Sequence, residues 1–271
     1  MSAPAAFLSG LFVYPLKSAA GIPLDRARIR ERGIVDDRRW MVVDAGGQFI
    51  SQRTHPRMVL VRVRFAPDGL LLSAPGLPDL AVARIPPGGR TRPVTVWGDT
   101  VAAPSAGAGA AEWMSEHLGC RCDVVYLPDD AARSVEPGWG PSRLVSFADG
   151  FPFLLISEGS LADLNARLAA PLPMNRFRPN LVVSGCAPYA EDGWRRISVG
   201  RLRFVVAKPC SRCATTVVDQ ATADRGREPL ATLAGYRRAG TEVFFGQNLI
   251  HEDEGELVLG DPVVLLEARP A

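Results

Sequence analysis

MVLVRVRFAPDGLLLS, residues 58–73, sets the architecture. Val59, Val61, Val63 and Phe65 point one way and Leu60, Arg62 and Arg64 the other, the period of two that sends successive side chains to opposite faces of a strand. Pro67-Asp68-Gly69 then supplies a turn, and Leu70–Ser73 opens a second strand. The same pattern repeats on both sides. Upstream, Leu11–Leu16 is a short apolar run, and Arg39–Asp44 and Gln48–Gln52 flank Ala45-Gly46-Gly47 as a hairpin. Downstream, Pro93–Trp97 and Thr100–Ala103 flank Gly98-Asp99. Closely spaced short strands predict a small barrel or sandwich. A first helix is predicted over Ala110–Leu118, with Ala111, Met114 and Leu118 on one face and Gly119 at its C-cap. Cys122–Leu127 reads as a strand, and the polar, Pro/Gly-rich Pro128–Arg143 as a functional loop or linker. Ser160-x-x-Asp163 reads as a capping box opening a second helix through Leu168. Phe153–Ile156, Leu181–Ser184, Ile197–Val199, Leu202–Ala207, Thr215–Val218 and Leu257–Leu266 are further predicted strands. The expected class is mainly β (α+β). A β-barrel-like part, residues 1–125, packs on a second β-rich part, residues 126–271, with a few helices.

A chain of 271 residues has room for two domains and a core that needs no disulfide or metal. With 47% apolar and 22% charged residues it is neither disordered, nor a coiled coil, nor collagen-like. The 31 Lys and Arg against 29 Asp and Glu leave a net charge of +2, which excludes the overall electrostatic footprint of a nucleic-acid binder. No apolar run reaches the about 18 residues of a membrane-spanning helix. The apolar start, Met1–Leu16, lacks the basic residues that open a signal peptide. Five cysteines with no mark of secretion predict reduced thiols and a cytoplasmic protein.

Lys208-Pro209-Cys210-Ser211-Arg212-Cys213 is the sharpest local pattern. A CxxC pair reads as a redox dithiol, as half of a zinc site completed by Cys120-x-Cys122, as a thiolate for a soft redox metal, or as two buried thiols without a role. The β-favouring run Ala214–Val218 argues against the helix N-terminus that a dithiol requires. Arg178 and Asn180, just before an apolar strand, form a candidate anion clamp whose plain alternative is a domain-bridging ion pair. Arg38 precedes a strand in the same style. Lys17 and Ser18 end one, where backbone N–H groups and an ammonium can meet a phosphate, although the order is not that of a P-loop. Together these segments supply cationic anchors and a thiolate pair, as an anionic, metal-bearing cofactor requires. His55, His117 and His251 read as surface or capping groups, and Asp36-Asp37, Asp129-Asp130 and Glu252-Asp253-Glu254 as solvated charges. No GxSxG or HExxH motif occurs.

YPLKSAAG (14–21), DDRRWMVVD (36–44), NRFRPNLVVSG (175–185), KPCSRCATTVVD (208–219), FFGQN (244–248) and GDPV (260–263), in this order, closely resemble the MOSC-domain family. In motif the likeness is greatest to bacterial MOSC oxidoreductases and the mitochondrial amidoxime-reducing component. The resemblance implies an N-terminal β-barrel domain, a MOSC domain and a molybdenum cofactor (molybdenum–molybdopterin) in the cleft between them. It implies that Cys213 ligates molybdenum, that Lys17, Ser18, Arg38, Arg178 and Asn180 grip the pterin and its phosphate, and that Ser211 and Arg212 lie beside the metal. The implied activity is reduction of small N-hydroxylated substrates, with Asp149 as candidate proton donor. The second implied role is a carrier of molybdenum cofactor or activated sulfur. No cysteine follows Cys213, so electrons are expected from a separate donor, a ferredoxin- or flavin-type reductase, acting on a monomer that meets neither nucleic acid nor membrane. At Gly150 and Phe151 relatives often place phosphate-binding hydroxyls, which are missing here.

Overall fold

The computed structural model describes residues 6–84 and 91–270. The first five residues of the apolar start and the segment 85–90 lie outside it. The fold is mainly β, with three α-helices among the described residues. Its largest unit is a nine-stranded sheet in the order Val263–Ala268, Trp194–Val199, Leu202–Ser211, Glu242–His251, Phe153–Ser157, Leu181–Ser184, Phe7–Val13 and Ile22–Pro23, with Arg238–Ala239 pairing Glu242–His251. Of the pairs in this sheet, Phe153–Ser157 with Leu181–Ser184 is parallel. Smaller ladders join Trp40–Asp44 to Cys122–Tyr126, Arg62–Ala66 to Gly69–Ser73 and Leu80–Ala83, and Thr91–Val96 to Asp99–Pro104.

Alternation divides continuous apolar runs between cores. In Trp40–Asp44, Trp40 and Val42 enter one cluster with Val124 and Tyr126, while Met41 and Val43 enter another with Val94, Val125 and Phe147. In Phe153–Ser157, Phe153 and Leu155 face the main barrel core, and Leu154 and Ile156 face Phe177 and Phe245. Strands clad on both faces are the rigid supports from which the site loops spring. The main core also takes in Leu8, Leu11, Val13, Ala27, Ile29 and Ile34, so early strands close the barrel of the C-terminal half.

Several local expectations change. The alternation at 58–65 is broken, because Pro56 opens a 3-10 turn, Pro56–Leu60, and the strand runs Arg62–Ala66. The second helix is Glu158–Asn165, capped by the Ser157 side chain accepting from the Ser160 N–H at 3.0 Å, one turn earlier than the Ser160 box. Thr215–Val218 is no strand: Ala214–Val217 forms a 3-10 turn, and the Thr216 hydroxyl donates to the Cys213 carbonyl at 3.0 Å. Leu257–Leu266 is interrupted between Gly255–Val258 and Val263–Ala268 by a turn at Leu259-Gly260, closed by Asp261, whose carboxylate accepts the Val258 N–H at 2.8 Å. The first helix is Ala108–Leu118, with Gly119 left-handed at its C-cap as expected. No helix of the described residues is long and apolar enough to cross a membrane.

Candidate functional site

One cavity lies where the turn after Phe7–Val13, the turn before Trp40–Asp44, the approaches to Phe153–Ser157 and Leu181–Ser184, and the end of Leu202–Ser211 meet. Lys17, Ser18, Arg38, Asp149, Arg178, Asn180, Ser211, Arg212 and Cys213 all line it. The structure thus brings together the residues that the resemblance assigns to a cofactor site, and adds Ser51, Arg53, Thr215 and Asn248.

Five cationic side chains, Lys17, Arg38, Arg53, Arg178 and Arg212, face a single lining carboxylate, Asp149. Lys17 is 6% exposed; its ammonium donates to the Phe147 carbonyl at 2.8 Å and pairs with Asp149. Burial pushes the Lys17 pKa down, with the Asp149 charge pulling back. For Asp149, enclosure works towards protonation, but with 59% of its side chain open to solvent it counts for less than Lys17, Arg53 and the Trp97 indole N–H, which hold the carboxyl well below the usual range. Asp149 therefore has no proton to give near neutrality, against the expectation that it serves as proton donor.

Arg38 and Arg178 each stand 4.3 Å from the centroid of the Tyr14 ring, whose hydroxyl donates to the Pro179 carbonyl at 2.9 Å. Burial, only partly offset by Tyr14, and the neighbouring Arg38 charge bring Arg178 down to about 10. Ser18, Arg38 and Arg178 hold left-handed φ of 69°, 50° and 58°. Such backbone costs of order 1–3 kcal/mol per residue and persists where the surroundings over-determine it, characteristically at binding sites. Asp37, expected to be solvated, is instead 3% exposed: it pairs with Arg38 and accepts the Tyr14 N–H at 2.9 Å, because the chain must answer a half-sunk guanidinium. Asn180 differs from its expected role as a free clamp. Its amide is occupied by Arg38 (3.0 Å), Leu154 N–H (3.3 Å), the Phe12 carbonyl (3.2 Å) and Asp37 (3.3 Å), which makes it a positioning residue for Arg38.

Cys213 is half-buried. Burial pushes its thiol up, but the Thr215 hydroxyl at 3.3 Å, the Thr215 N–H and the Arg53 Nε at 3.2 Å outweigh it, so the thiol ionises more readily than an ordinary one. Arg53 also reaches the other Asp149 oxygen at 3.4 Å and lies 4.5 Å from the Trp97 ring. Sequence reasoning missed it; its one signal is a cationic residue just past a predicted strand end, as Lys17 is. Cys210 stays in its strand, its sulfur accepting from Arg212 at 3.0 Å, and no α-helix follows, so the dithiol reading lacks its helix N-terminus. Cys120 lies 3.4 Å from the His55 ring, and among the described residues no group of three or more His, Cys, Asp or Glu is placed to hold a metal, which leaves the zinc reading without a ligand set. His117 (1% exposed) and His251 (0%) are buried rather than superficial: His117 donates to the Arg57 carbonyl at 2.8 Å, and His251 packs edge-on to Phe153. Glu252 and Asp253 are half-buried partners of Arg196 and Arg203.

Residues 5–121 match the MOSC N-terminal beta barrel domain, and residues 142–264 match the MOSC domain. The chain is 34% identical to mitochondrial amidoxime-reducing component 1 of Mus musculus, over 94% of this chain and 81% of that one. This chain belongs to the MOSC-domain family. The MOSC chain is likewise 34% identical to mitochondrial amidoxime-reducing component 1 of Homo sapiens, over 94% of this chain and 82% of that one. To the molybdenum cofactor sulfurase of Oryza sativa subsp. japonica it is 30% identical over 92% of this chain but 33% of that one, so it corresponds to about a third of the rice protein.

Proposed function

We propose that this MOSC protein is a molybdenum-cofactor-dependent reductase of N-hydroxylated compounds, with Cys213 as the metal ligand. The observation that carries the reading is convergence: an ionisable thiol and five cations surround one cavity whose single carboxylate is already paired. That donor set suits a polyanionic group bearing a soft metal. The buried Arg212 Nε has no hydrogen-bond partner among the described residues, a donor such a group would satisfy. When bound, the cofactor supplies a metal able to take oxygen from an N–O bond in a two-electron step. The chain's own part is to bind and orient. Arg38, Arg178 and Lys17 would answer the charge of the pterin phosphate, Ser18 would offer its hydroxyl, and Ser211 and Arg212 would lie beside the metal. Arg53 and Thr215 favour the thiolate form of Cys213.

Electrons on this reading come from a separate ferredoxin- or flavin-type donor protein, and the five free cysteines support a reducing, cytoplasmic setting. The rice relative favours a second reading, delivery of cofactor or sulfur without turnover. A steady-state assay separates the two. Protein purified from a cofactor-competent host, supplied with a reductase and benzamidoxime, gives many turnovers per chain if it is an enzyme. Release of at most one equivalent per chain refutes the reductase and supports the carrier.

A further inference from the structure

The chain answers almost every call for a cation with arginine. Among its 31 basic residues the two lysines are Lys17 and Lys208. Lys17 lines the cavity described above, its charge met by Asp149 and the Phe147 carbonyl. Lys208 lines an adjoining hollow of about 590 Å³, which shares Asp149, Phe151, Cys210, Ser211 and Asn248 with the first. A volume of several hundred Å³ is that of a small-molecule site, and Cys210 and Ser211 in its wall join it to the cavity that Cys213 lines.

Lys208 is half-buried, and its ammonium makes no ion pair or hydrogen bond among the described residues. It rests instead against two rings, 5.1 Å from the centroid of Trp139 and 5.3 Å from that of Phe151. Contact with aromatic faces fixes a cation and strips part of its water without neutralising it. The carboxylates along the walls do not neutralise it either. Asp99 pairs with Arg133, Asp149 with Lys17 and Arg53, the Glu136 carboxylate accepts from the Trp139 indole at 3.4 Å, and Glu242 stands exposed outside ion-pair range. Trp97, 46% exposed, and Phe244 complete flat walls suited to a planar ring. A compact ammonium on a flexible stem follows one ligand oxygen better than a rigid guanidinium fork does.

We propose that Lys208 anchors an anionic group of the substrate, so that the site prefers N-hydroxylated aryl compounds bearing a carboxylate over neutral ones. The proposal rests on the reductase reading above. Its test compares 4-carboxybenzamidoxime with benzamidoxime on wild type, Lys208→Met and Lys208→Arg, by calorimetric Kd and by KM. Methionine keeps an apolar stem against Trp139 and Phe151 while removing the charge. The ratio of affinities, carboxylated over neutral, should fall about tenfold in Lys208→Met, the loss of one charge-assisted contact, and be largely kept in Lys208→Arg. A ratio unchanged in Lys208→Met, or a lower melting temperature with both ligands weakened equally, overturns the assignment in favour of a packing role. If binding shows the contrast but neither ligand is turned over, the reductase reading fails and the Lys208 assignment stands. Turnover without the contrast has the opposite meaning.

Discussion

Asp37→Ala removes the buried carboxylate that holds Arg38 in the cavity wall. Asp37 is 3% exposed, pairs with Arg38, and accepts from Tyr14 N–H at 2.9 Å and from the Asn180 amide at 3.3 Å. Stranding one member of a buried pair costs about 3–5 kcal/mol. The Arg38 side chain is 13% exposed on the cavity side, so partial hydration brings the expected loss to the low end, about 3 kcal/mol. Arg38→Ala strands Asp37 in turn and should cost a similar amount. In the double variant neither charge is stranded, so its loss should fall short of the two single losses combined by about 2 kcal/mol or more. Urea unfolding of the four proteins at pH 7 measures this. Additivity within about 0.5 kcal/mol would show that Asp37 does not position Arg38, and the account of that wall would be wrong.

Three further outcomes follow from named contacts. Burial, and then the Arg143 charge, push His251 from 6.5 down to about 4. Because the folded pKa lies below the unfolded one, stability present above about pH 6.5 is lost as pH falls towards about 4. Unfolding of wild type should therefore lose about 2–3 kcal/mol between pH 7.5 and pH 4.5 that His251→Phe does not lose; parallel curves would refute it. Arg53→Ala withdraws a charge and a donor from Cys213, so peptide-mapped alkylation of Cys213 at pH 7 should slow severalfold, and an unchanged rate would deny Arg53 its part. Gly246 holds φ of 80°, and a Cβ there would stand 2.6 Å from Ile156 Cγ1 and 2.8 Å from the Leu155 carbonyl. Gly246→Ala should lower stability by about 1–3 kcal/mol by thermal unfolding, and a melting temperature equal to wild type would contradict the close approach.

Much of the site was legible because its residues flank strands. Arg38, Arg178 and Lys17 mark strand ends, and a sheet closing on itself brings strand ends together even when they lie far apart in the chain. The strand–turn rhythm gave the mainly β class for the same reason. What stayed hidden depends on contacts made only in three dimensions. Arg53 carries no motif and matters because it meets Cys213. Asp37 looks like its neighbour Asp36 until the fold buries it under Arg38. Thr215 and Thr216 favour strands by propensity, yet their hydroxyls turn back on Cys213 and give a 3-10 turn instead. Lys208 stands inside the most conspicuous motif, but its unanswered charge appears only once Trp139 and Phe151 close around it.

The central claim is that Cys213 holds molybdenum in this cavity. Elemental analysis of protein purified from a cofactor-competent host tests it most directly. The account predicts about one molybdenum per chain in wild type, as expected for one thiolate site, and little or none in Cys213→Ala. No molybdenum in wild type, or equal molybdenum in both proteins, would contradict it.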